Sequence, residues 1–401
     1  MKKNALGNPC EKHSDIPQFV GEKVKLGDLI SKAKVERCGD RFFPVYSMTM
    51  HDGIVEQSGR FKKAVASKDT SSYKVVKKNQ LVVGFPIDEG VIYVQNHERA
   101  GIMSPAYNVW DFDSSRIAPA YLELALHSPQ SMAYYAEKLR GTTARRRSLT
   151  ADGLRALPIV LPSIERQGAV VEVLKGIKGQ IADARKTANE LDHLVKSRFV
   201  EMFGDPCNPE DGKERKRLDS FCELRIGPFG SALHKEDYIT GGHPLVNPSH
   251  IVNGMVKPDS NLTIDEEKYE SLAVYHLLPG DVVLGRRGEI GRCAVVDKSG
   301  MICGTGSMIL RPSQEIRSDY LQRVVSFPSF SRALENNAVG VTMKNLNAAI
   351  VGSAEIFLPE LAEQDAFIEF VSQVDKLRFA TQQQIDKLET LKKSLMQEYF
   401  G

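Results

Sequence analysis

Short runs of arginine beside glycine are the stretches of this 401-residue chain whose residue types could do chemistry at a surface. The segment GRRGEIGR (285–292) contains three of them, Arg286, Arg287 and Arg292. Guanidinium groups neutralise phosphate whatever the base sequence, and they can also donate two parallel hydrogen bonds to a guanine edge. Glycine in such a turn lets the backbone approach a duplex closely. The pattern predicts nucleic-acid contact, with a solvated hairpin as the alternative for any single residue.

A second basic turn occurs at one place in two copies. GTTARRRSL (141–149) aligns with GVTMKNL (340–346) when the chain is compared with itself. Because the turn occurs twice at one position, we expect it to be functional. The candidate contacts are Arg145, Arg146 and Arg147 in the first copy and Lys344 and Asn345 in the second.

Two weaker candidates lie elsewhere in the chain. RIGPFGS (225–231) contributes Arg225 and Ser231, and its Phe229 is equally compatible with a core position. SGRFKK (58–63) contributes three more candidate contacts, Arg60, Lys62 and Lys63.

No segment has the pattern of a self-contained catalytic or metal site. DPCNP (205–209) and VNPSH (246–250) lack the second proline and the aromatic residue of an adenine methyltransferase motif. IGPFGSALHK (226–235) lacks the lysine and hydroxyl spacing of a phosphate-binding P-loop. The six cysteines contain no C-x-x-C pair, and the nine histidines supply no zinc-ligand spacing. We therefore predict no catalytic residue, no metal site and no bound cofactor.

Composition predicts a cytoplasmic protein that is not bound to a membrane. Charged residues make up 26% and hydrophobic residues 42% of the chain, as in soluble globular proteins. No stretch approaches the roughly 18 apolar residues of a membrane span. The lysines near the start have no apolar run behind them, so we expect no secretory signal.

Net charge does not identify the partner. The chain carries +2 in total, yet residues 1–160 contain 24 Lys and Arg against 17 Asp and Glu. A basic first part is compatible with nucleic acid, whereas the second half is not basic.

An internal repeat in the sequence predicts the larger elements that would position these turns. Shifting the chain by 197 positions aligns residues 147–204 with residues 344–401 without a gap. LPSIERQ then falls on LPELAEQ, and SRFVEMFG falls on SLMQEYFG. Farther upstream the order of elements is shared while the residues differ. The chain is therefore expected to contain a variable domain, a helix, a second variable domain and a second helix.

A long helix is predicted after each Leu-Pro pair, because apolar residues recur there at the alternating spacing of three and four that is typical of a coiled-coil seam. The predicted seam consists of Val170, Val173, Ile177, Ala184, Leu191 and Leu194 in the first helix and Phe367, Phe370, Val374, Leu377, Leu388, Leu391 and Leu395 in the second. Two such stripes can bury each other. The alternative is that each helix packs only on its own domain.

Forty residues of helix span about 60 Å. If the two helices pair in antiparallel orientation, the two domains lie at opposite ends of a rod, related by a pseudo-two-fold axis. Two similar but non-identical domains held in this way suit a duplex with two half-sites, whose spacing follows from the protein geometry. We therefore predict an α+β fold with a pseudo-two-fold internal repeat.

On these features the chain resembles the specificity (S) subunits of type I restriction–modification systems. LPSIERQ, LPELAEQ, the two helix ends and the doubled layout carry the resemblance. VKLGDLI (24–30) and the segment 217–251 resemble the openings of two target-recognition domains. LLPGDVVLGRRGEIGRCAVV (277–296) resembles the strand, Gly-rich turn and strand in the middle of such a domain, whereas LVVGFPIDEGVIYV (81–94) has no Arg-rich turn.

The resemblance implies a division of the chain. Residues 1–16 are expected to form an N-terminal arm, and residues 17–160 and 205–357 two mixed α/β target-recognition domains. Residues 161–204 and 358–401 are expected to form the two long helices as an antiparallel coiled coil.

The resemblance also implies a non-catalytic subunit. Each recognition domain would read one half of a bipartite, asymmetric site in double-stranded DNA. The helices would set the gap and dock two methyltransferase (M) subunits, and endonuclease–translocase (R) subunits would join the complex. S-adenosylmethionine, ATP and Mg would be used by these partners and not by this chain. The alternative of a different class is a two-lobed coiled-coil scaffold that binds only proteins.

Overall fold

The computed structural model describes residues 21–50, 52–60, 69–139, 148–207, 212–229, 232–340 and 344–401, with only the backbone at 59 and 60. The chain divides into two compact units. Unit 1 contains the chain up to Ala184 together with Gln383–Gly401, and unit 2 contains Arg185–Gln382. Each unit therefore holds one sheet-rich region and one part of each long helix.

Among the described residues, unit 1 contains ten strands: β1 (Glu22–Lys25), β2 (Ile30–Lys32), β3 (Tyr46–Met48), β4 (Ile54–Glu56), β5 (Lys74–Val76), β6 (Leu81–Val83), β7 (Ile92–Val94), β8 (Gly101–Met103), β9 (Asn108–Phe112) and β10 (Pro158–Leu161). Its short helices are α1 (Gln57–Arg60), α2 (Pro119–Leu126), α3 (Pro129–Lys138) and α4 (Ala151–Arg155). The long helix α5 (Ile164–Phe203) begins in this unit.

Unit 2 contains the strands β11 (Arg215–Arg217), β12 (Cys222–Ile226), β13 (His243–Val246), β14 (Ile251–Val252), β15 (Met255–Val256), β16 (Thr263–Ile264), β17 (His276–Leu277), β18 (Val282–Gly285), β19 (Cys293–Val295), β20 (Met301–Cys303), β21 (Ser307–Pro312) and β22 (Glu355–Phe357). Its short helices are α6 (Glu266–Ser271), α7 (Ser318–Val325), α8 (Pro328–Asn337) and α9 (Ala348–Gly352). The second long helix, α10 (Leu361–Phe400), begins in this unit.

The two units repeat one sheet topology. Unit 1 has a four-stranded antiparallel sheet in the order β2-β9-β6-β7, and unit 2 has one in the order β12-β21-β18-β19. The pair β1–β10 has its counterpart in β11–β22, and each lies just before a long helix. The repeat therefore extends over strands whose sequences no longer resemble each other. The predicted α+β fold class is confirmed.

The long helices pack in antiparallel orientation within each unit. In unit 2, Arg378 of α10 donates to Asp192 of α5 at 3.1 Å, and the rings of Phe199 and Phe367 lie 5.5 Å apart. In unit 1, Ile181 and Ile385 share an apolar cluster formed by the two helices alone. In unit 2, a higher residue number on α5 thus contacts a lower residue number on α10, as expected for antiparallel helices.

The phase of the predicted seam is partly wrong. Val170, Ile177, Ala184, Phe367 and Val374 are buried, whereas four seam residues are exposed: Val173, Leu194, Leu377 and Leu391. The other predicted positions, Leu191, Phe370, Leu388 and Leu395, are half-buried. The structure instead buries the next residue along the helix in several turns: Leu174, Val195, Val371 and Met396. Spacings of three and four both suit an α-helix, so periodicity alone does not choose between neighbouring phases.

A buried glutamine ties the start of each long helix to its domain. Gln167 and Gln364 are fully buried and lie 197 positions apart. The Oε1 atom of Gln167 accepts the N–H of Ala118, the residue that caps α2, at 2.8 Å. Its Nε2 donates to the carbonyls of Arg116 and Pro162, both at 2.9 Å. The oxygen and the nitrogen of this buried amide thus form all three of these hydrogen bonds with backbone groups.

Gln364 repeats this geometry in unit 2. Its Oε1 accepts the N–H of Arg317, which caps α7, at 2.8 Å. Its Nε2 donates to Glu315 at 3.0 Å and to Pro359 at 2.9 Å. The repeated Leu-Pro…Gln spacing therefore encodes a clamp between the helix start, the preceding strand end and the helix that covers the sheet.

Among the described residues, no helix is both long and apolar enough to cross a membrane.

Replacing Gln364 by alanine should destabilise unit 2 by about 1–3 kcal/mol, because the three backbone groups that this buried amide bonds, among them the Arg317 N–H, then lose their partner. The measurement is urea unfolding followed by circular dichroism. Gln373→Ala is the matched control, since Gln373 lies exposed on the same helix and should change stability by less than about 0.5 kcal/mol. Equal unfolding midpoints for the two variants would contradict the clamp.

Candidate nucleic-acid interface

The segments with the predicted contacts lie at one end of the strands of the four-stranded sheet in unit 2, which is called an edge below. The registers place Ile226 of β12, Gly285 of β18, Cys293 of β19 and Ser307 of β21 at the same edge. The turn 286–292 and the loops 227–229 and 304–306 leave the sheet there. We call these segments, together with residues 344–347, the unit 2 edge.

Arg286 is a structural residue of this edge. Its side chain is only 5% exposed. Its Nε donates to the carbonyl of Leu346, and its Nη1 donates to the carbonyl of Thr305, both at 3.0 Å. Burial and the neighbouring charge of Arg287 lower the pKa of the Arg286 guanidinium. Two of the donors of Arg286 are thus engaged by backbone carbonyls of two other loops, and its predicted DNA contact stays a prediction.

Arg287 lies beside Asn345, although 58 positions separate them. The two residues form an isolated antiparallel bridge, and Arg287 Nε donates to Asn345 Oδ1 at 3.3 Å. Lys344 next to them is exposed, with its Nζ donating to the carbonyl of Glu335 at 3.1 Å. Two sequence segments predicted separately thus form one surface with a guanidinium, an amide and an ammonium group.

Arg292 and Arg225 are held by neighbours. Arg292 is exposed and pairs with Glu289 at 2.6 Å. Arg225 donates to the carbonyl of Val274 at 2.7 Å and pairs with Glu223. Exposed ion pairs of this kind contribute at most about 1 kcal/mol, so a stronger anion can displace the carboxylate. Both arginines remain predicted contacts.

Close backbone approaches explain the glycines of this edge. A Cβ on Gly227 would lie 2.1 Å from the carbonyl oxygen of Gly304, and a Cβ on Gly304 would lie 2.2 Å from Oδ1 of Asn247. That Oδ1 accepts the N–H of Gly306 at 3.2 Å. The VNPSH segment therefore belongs to the edge, which its sequence did not indicate.

Phe229 is 64% exposed at this edge, so the alternative of a core position is wrong. An exposed aromatic ring beside cationic groups can stack on a base or pack on a sugar.

Several predicted contacts lie outside the described residues: Arg145, Arg146, Arg147, Ser231, Lys62 and Lys63, as does the side chain of Arg60. They stay predictions.

The corresponding edge of unit 1 has no arginine in its turn. Gly84 donates to the carbonyl of Val91 at 2.9 Å, as Gly285 donates to that of Arg292 at 2.7 Å, so the two turns start alike. The unit 1 turn then continues as Phe85-Pro86 and contains Asp88 and Glu89. The ring of Phe85 packs edge-on to Tyr107 at 5.5 Å. The turn itself therefore supplies no positive charge.

Within the described part of the chain, no group of three or more His, Cys, Asp or Glu side chains is placed to hold a metal ion. The charged groups described at the unit 2 edge include Arg287, Arg292 and Lys344, which suit a phosphate or a base edge better than a cation.

Part of the chain matches a known family of proteins. Residues 210–390 match the family model described as "Type I restriction modification DNA specificity domain". A putative type I restriction enzyme MjaX specificity subunit from Methanocaldococcus jannaschii is 24% identical over 201 residues, 48% of this chain and 46% of that protein. The chain therefore aligns with about half the length of this curated relative.

Two solved structures share the fold over nearly the whole chain. One, from work on complex assembly and conformational transition of the type I R-M system, has a TM-score of 0.61 and 17% identity, and covers 95% of this chain and 97% of its own. The type I restriction–modification S subunit from M. genitalium has a TM-score of 0.51 and 14% identity, and covers 96% and 97%.

The family match covers residues 210–390, and the similarity of fold extends over nearly the whole chain. These comparisons support the resemblance to specificity (S) subunits of type I restriction–modification systems that was noted from the sequence.

The adjacent arginines of the unit 2 edge should respond in opposite ways to alanine substitution. Arg286→Ala should lower stability by about 1–3 kcal/mol, because two buried carbonyls lose charged donors. Arg287→Ala should leave stability within about 0.5 kcal/mol of the parent and weaken DNA binding by about 1–3 kcal/mol if the guanidinium reads a base. Urea unfolding and fluorescence anisotropy on duplex DNA measure the two effects. A stable Arg286→Ala variant with weakened binding would instead identify Arg286 as a DNA contact.

Proposed function

We propose that this chain is the DNA sequence-specificity subunit of a type I restriction–modification complex. It is non-catalytic, and it reads a bipartite, asymmetric site with one sheet-rich region for each half. The observation that carries the proposal is the unit 2 edge, where Arg287, Lys344 and Asn345 converge within the segment that matches the DNA-specificity family. The repeated sheet order in unit 1 provides a second, chemically different edge for the other half-site.

The two long helices set the distance between the half-sites. Each is a continuous 40-residue helix that passes from one unit into the other. A rigid helix transmits length at 1.5 Å per residue, so the number of residues between the units fixes the gap in the DNA site.

The helices also dock two methyltransferase (M) subunits. Leu194 and Leu391 are 48% and 47% exposed and lie at equivalent positions, 197 residues apart. An apolar side chain exposed twice at the same place in a repeat suits two copies of one partner. Endonuclease–translocase (R) subunits join this complex. S-adenosylmethionine, ATP and Mg serve the partners, and this chain binds no cofactor.

The function is tested by co-expressing the chain with its companion M subunit and mapping adenine methylation across the host genome. A two-part motif with a fixed gap is expected, because each edge selects its own bases. A stable complex that methylates no motif would reject the reading of DNA sequence by this chain. DNA binding that is absent at every salt concentration would favour a scaffold that binds only protein, since phosphate contacts weaken steeply with salt.

Inserting one helical turn of four residues into α5 after Ala184 and into α10 after Gln382 should lengthen the gap by about two base pairs. The insertion adds about 6 Å, and both methylated half-sites should keep their bases. The same four residues inserted in the exposed turn at Asp297–Lys298 are the control and should leave the gap unchanged. A gap that stays fixed in the helix variant would exclude the helices as spacers.

The double variant Leu194→Asp/Leu391→Asp should lose co-elution with the M subunit on a sizing column, because charge replaces the two exposed apolar contacts. Circular dichroism should remain that of the parent, since neither side chain belongs to the buried core. Lys196→Asp/Lys393→Asp is the matched control at exposed positions on the opposite side of each helix. Loss of the M subunit in the control alone would place the docking face elsewhere.

A further inference from the structure

The unit 1 edge carries positive charge from a different part of the chain than the unit 2 edge does. The registers of β2, β9, β6 and β7 place Lys32, Asn108, Val83 and Ile92 at the edge that corresponds to the unit 2 edge. The turn between β6 and β7 contains Asp88 and Glu89 but no cation. Any attraction for an anion at this edge must therefore come from its other segments.

Two lysines lie at this edge, one at the end of β2 and one just after it. Lys32 and Lys34 are exposed, while Ala33 between them is buried and donates its N–H to the carbonyl of Val109 at 3.1 Å. Alternate residues of an extended chain point to opposite faces. Lys32 and Lys34 therefore lie on the face opposite Ala33, two residues apart, and both are exposed to solvent.

Arg37 and Lys74 extend the same charged surface. The two residues form an isolated antiparallel bridge, which joins the segment after β2 to β5. Lys74 Nζ donates to the carbonyl of Tyr107, the residue just before β9, and Arg37 Nη1 donates to the carbonyl of Ser72 at 3.2 Å. Neither of these acceptors is charged, so the hydrogen bonds orient the two cations without neutralising them.

The nearby carboxylates are engaged elsewhere. Asp111 accepts a hydrogen bond from Gln80 at 2.8 Å, and Glu36 pairs with Arg41 at 2.7 Å. Within the described ranges, no carboxylate forms an ion pair with Lys32, Lys34 or Lys74. Burial and the positive charges of Lys32 and Arg37 lower the pKa of Lys74. The positive charges of Lys32, Arg37 and Lys74 thus repel one another at this surface. A bound polyanion would offset that repulsion.

We propose that Lys32, Lys34, Arg37 and Lys74 form the phosphate-binding surface by which unit 1 holds its half of the DNA site. The surface lies at the edge that is topologically equivalent to the unit 2 edge. Its cations come from the last residue of β2, from the segment after it and from β5, whereas the arginines of unit 2 lie in the turn after β18.

The proposal rests on the proposed function and specifies the chemistry of its first half-site. An ammonium group is a compact point charge that attracts phosphate without the planar geometry for guanine. Such contacts fix the position of the protein on the duplex and carry no base information themselves. Loss of these lysines should therefore weaken binding to all sequences alike, whereas loss of Arg287 in unit 2 should change the preference for bases.

The test compares two double variants of the full chain co-purified with its M subunit. Lys32→Ala/Lys34→Ala removes two exposed lysines from the proposed surface. Lys23→Ala/Lys25→Ala removes two exposed lysines, also two residues apart, from β1, which pairs with β10 away from this edge. Both variants change the net charge equally, so they separate a local contact from general electrostatic attraction. The measurement is the dissociation constant for a duplex of the methylated site and for a scrambled duplex, over a series of salt concentrations.

For the Lys32/Lys34 variant, the slope of log affinity against log salt should become less steep by roughly 2, the value for two lost phosphate contacts. Affinity should fall by the same factor on both duplexes, and the methylated motif should be unchanged. The Lys23/Lys25 variant should keep the parental slope. Equal slopes for the two double variants would overturn the proposal, as would a changed first half-motif in the Lys32/Lys34 variant.

The outcome also distinguishes a failure of the proposed unit 1 surface from a failure of the proposed DNA-specificity function. If Arg287→Ala alters DNA binding while Lys32→Ala/Lys34→Ala leaves the slope unchanged, the S-subunit function stands and the unit 1 surface is wrong. If the parental complex binds no duplex at low salt, both the function and the surface are wrong.

Discussion

The hydrogen bonds of one fully buried amide, present once in each unit, hold the rest of the structure together. Gln167 and Gln364 each join the first turn of a 40-residue helix to the capping residue of the helix that covers the sheet. An amide buried without partners would be costly, so its three backbone hydrogen bonds fix the angle at which the long helix leaves the domain. The sheet edge at which DNA is proposed to bind therefore has a defined orientation relative to the helix of the same unit.

On this shared frame, the two edges differ in chemistry. In unit 2, a buried arginine joins three loops through backbone carbonyls, and its neighbour Arg287 presents a guanidinium beside Asn345. In unit 1, the same turn contains phenylalanine, proline and two acidic residues, and the proposed cations lie at the end of β2, just after it and on β5. The same strand order can thus carry different hydrogen-bond donors in the two units. The donors lie mainly in loops, where strand pairing does not restrict the residue type. An asymmetric DNA site requires such a difference.

The sequence predicted the arginine turn of unit 2 but not the role of each arginine. Arg286 and Arg287 are adjacent and chemically identical, and only the position of Leu346 and Thr305 decides that the first is buried. The exposure of Phe229 and the participation of Asn247 likewise depend on loops that are distant in sequence. The seam of the long helices was predicted with the correct period but partly in the wrong phase, because the helices pack on their domains as well as on each other.

By itself, the sequence determined the doubled order of elements, the approximate extent of both long helices, the α+β class and the resemblance to S subunits. The proline before each helix and the apolar period along it are local signals that are read within a few turns of chain. The repeat is read by comparing the chain with itself, which needs no knowledge of the fold. Only the tertiary structure decided which face of each helix is buried, which arginine reaches solvent and which lysines gather at the edge of unit 1. Those outcomes depend on pairing between residues tens of positions apart, such as Arg37 with Lys74 and Arg287 with Asn345, and no pattern within either segment specifies its partner.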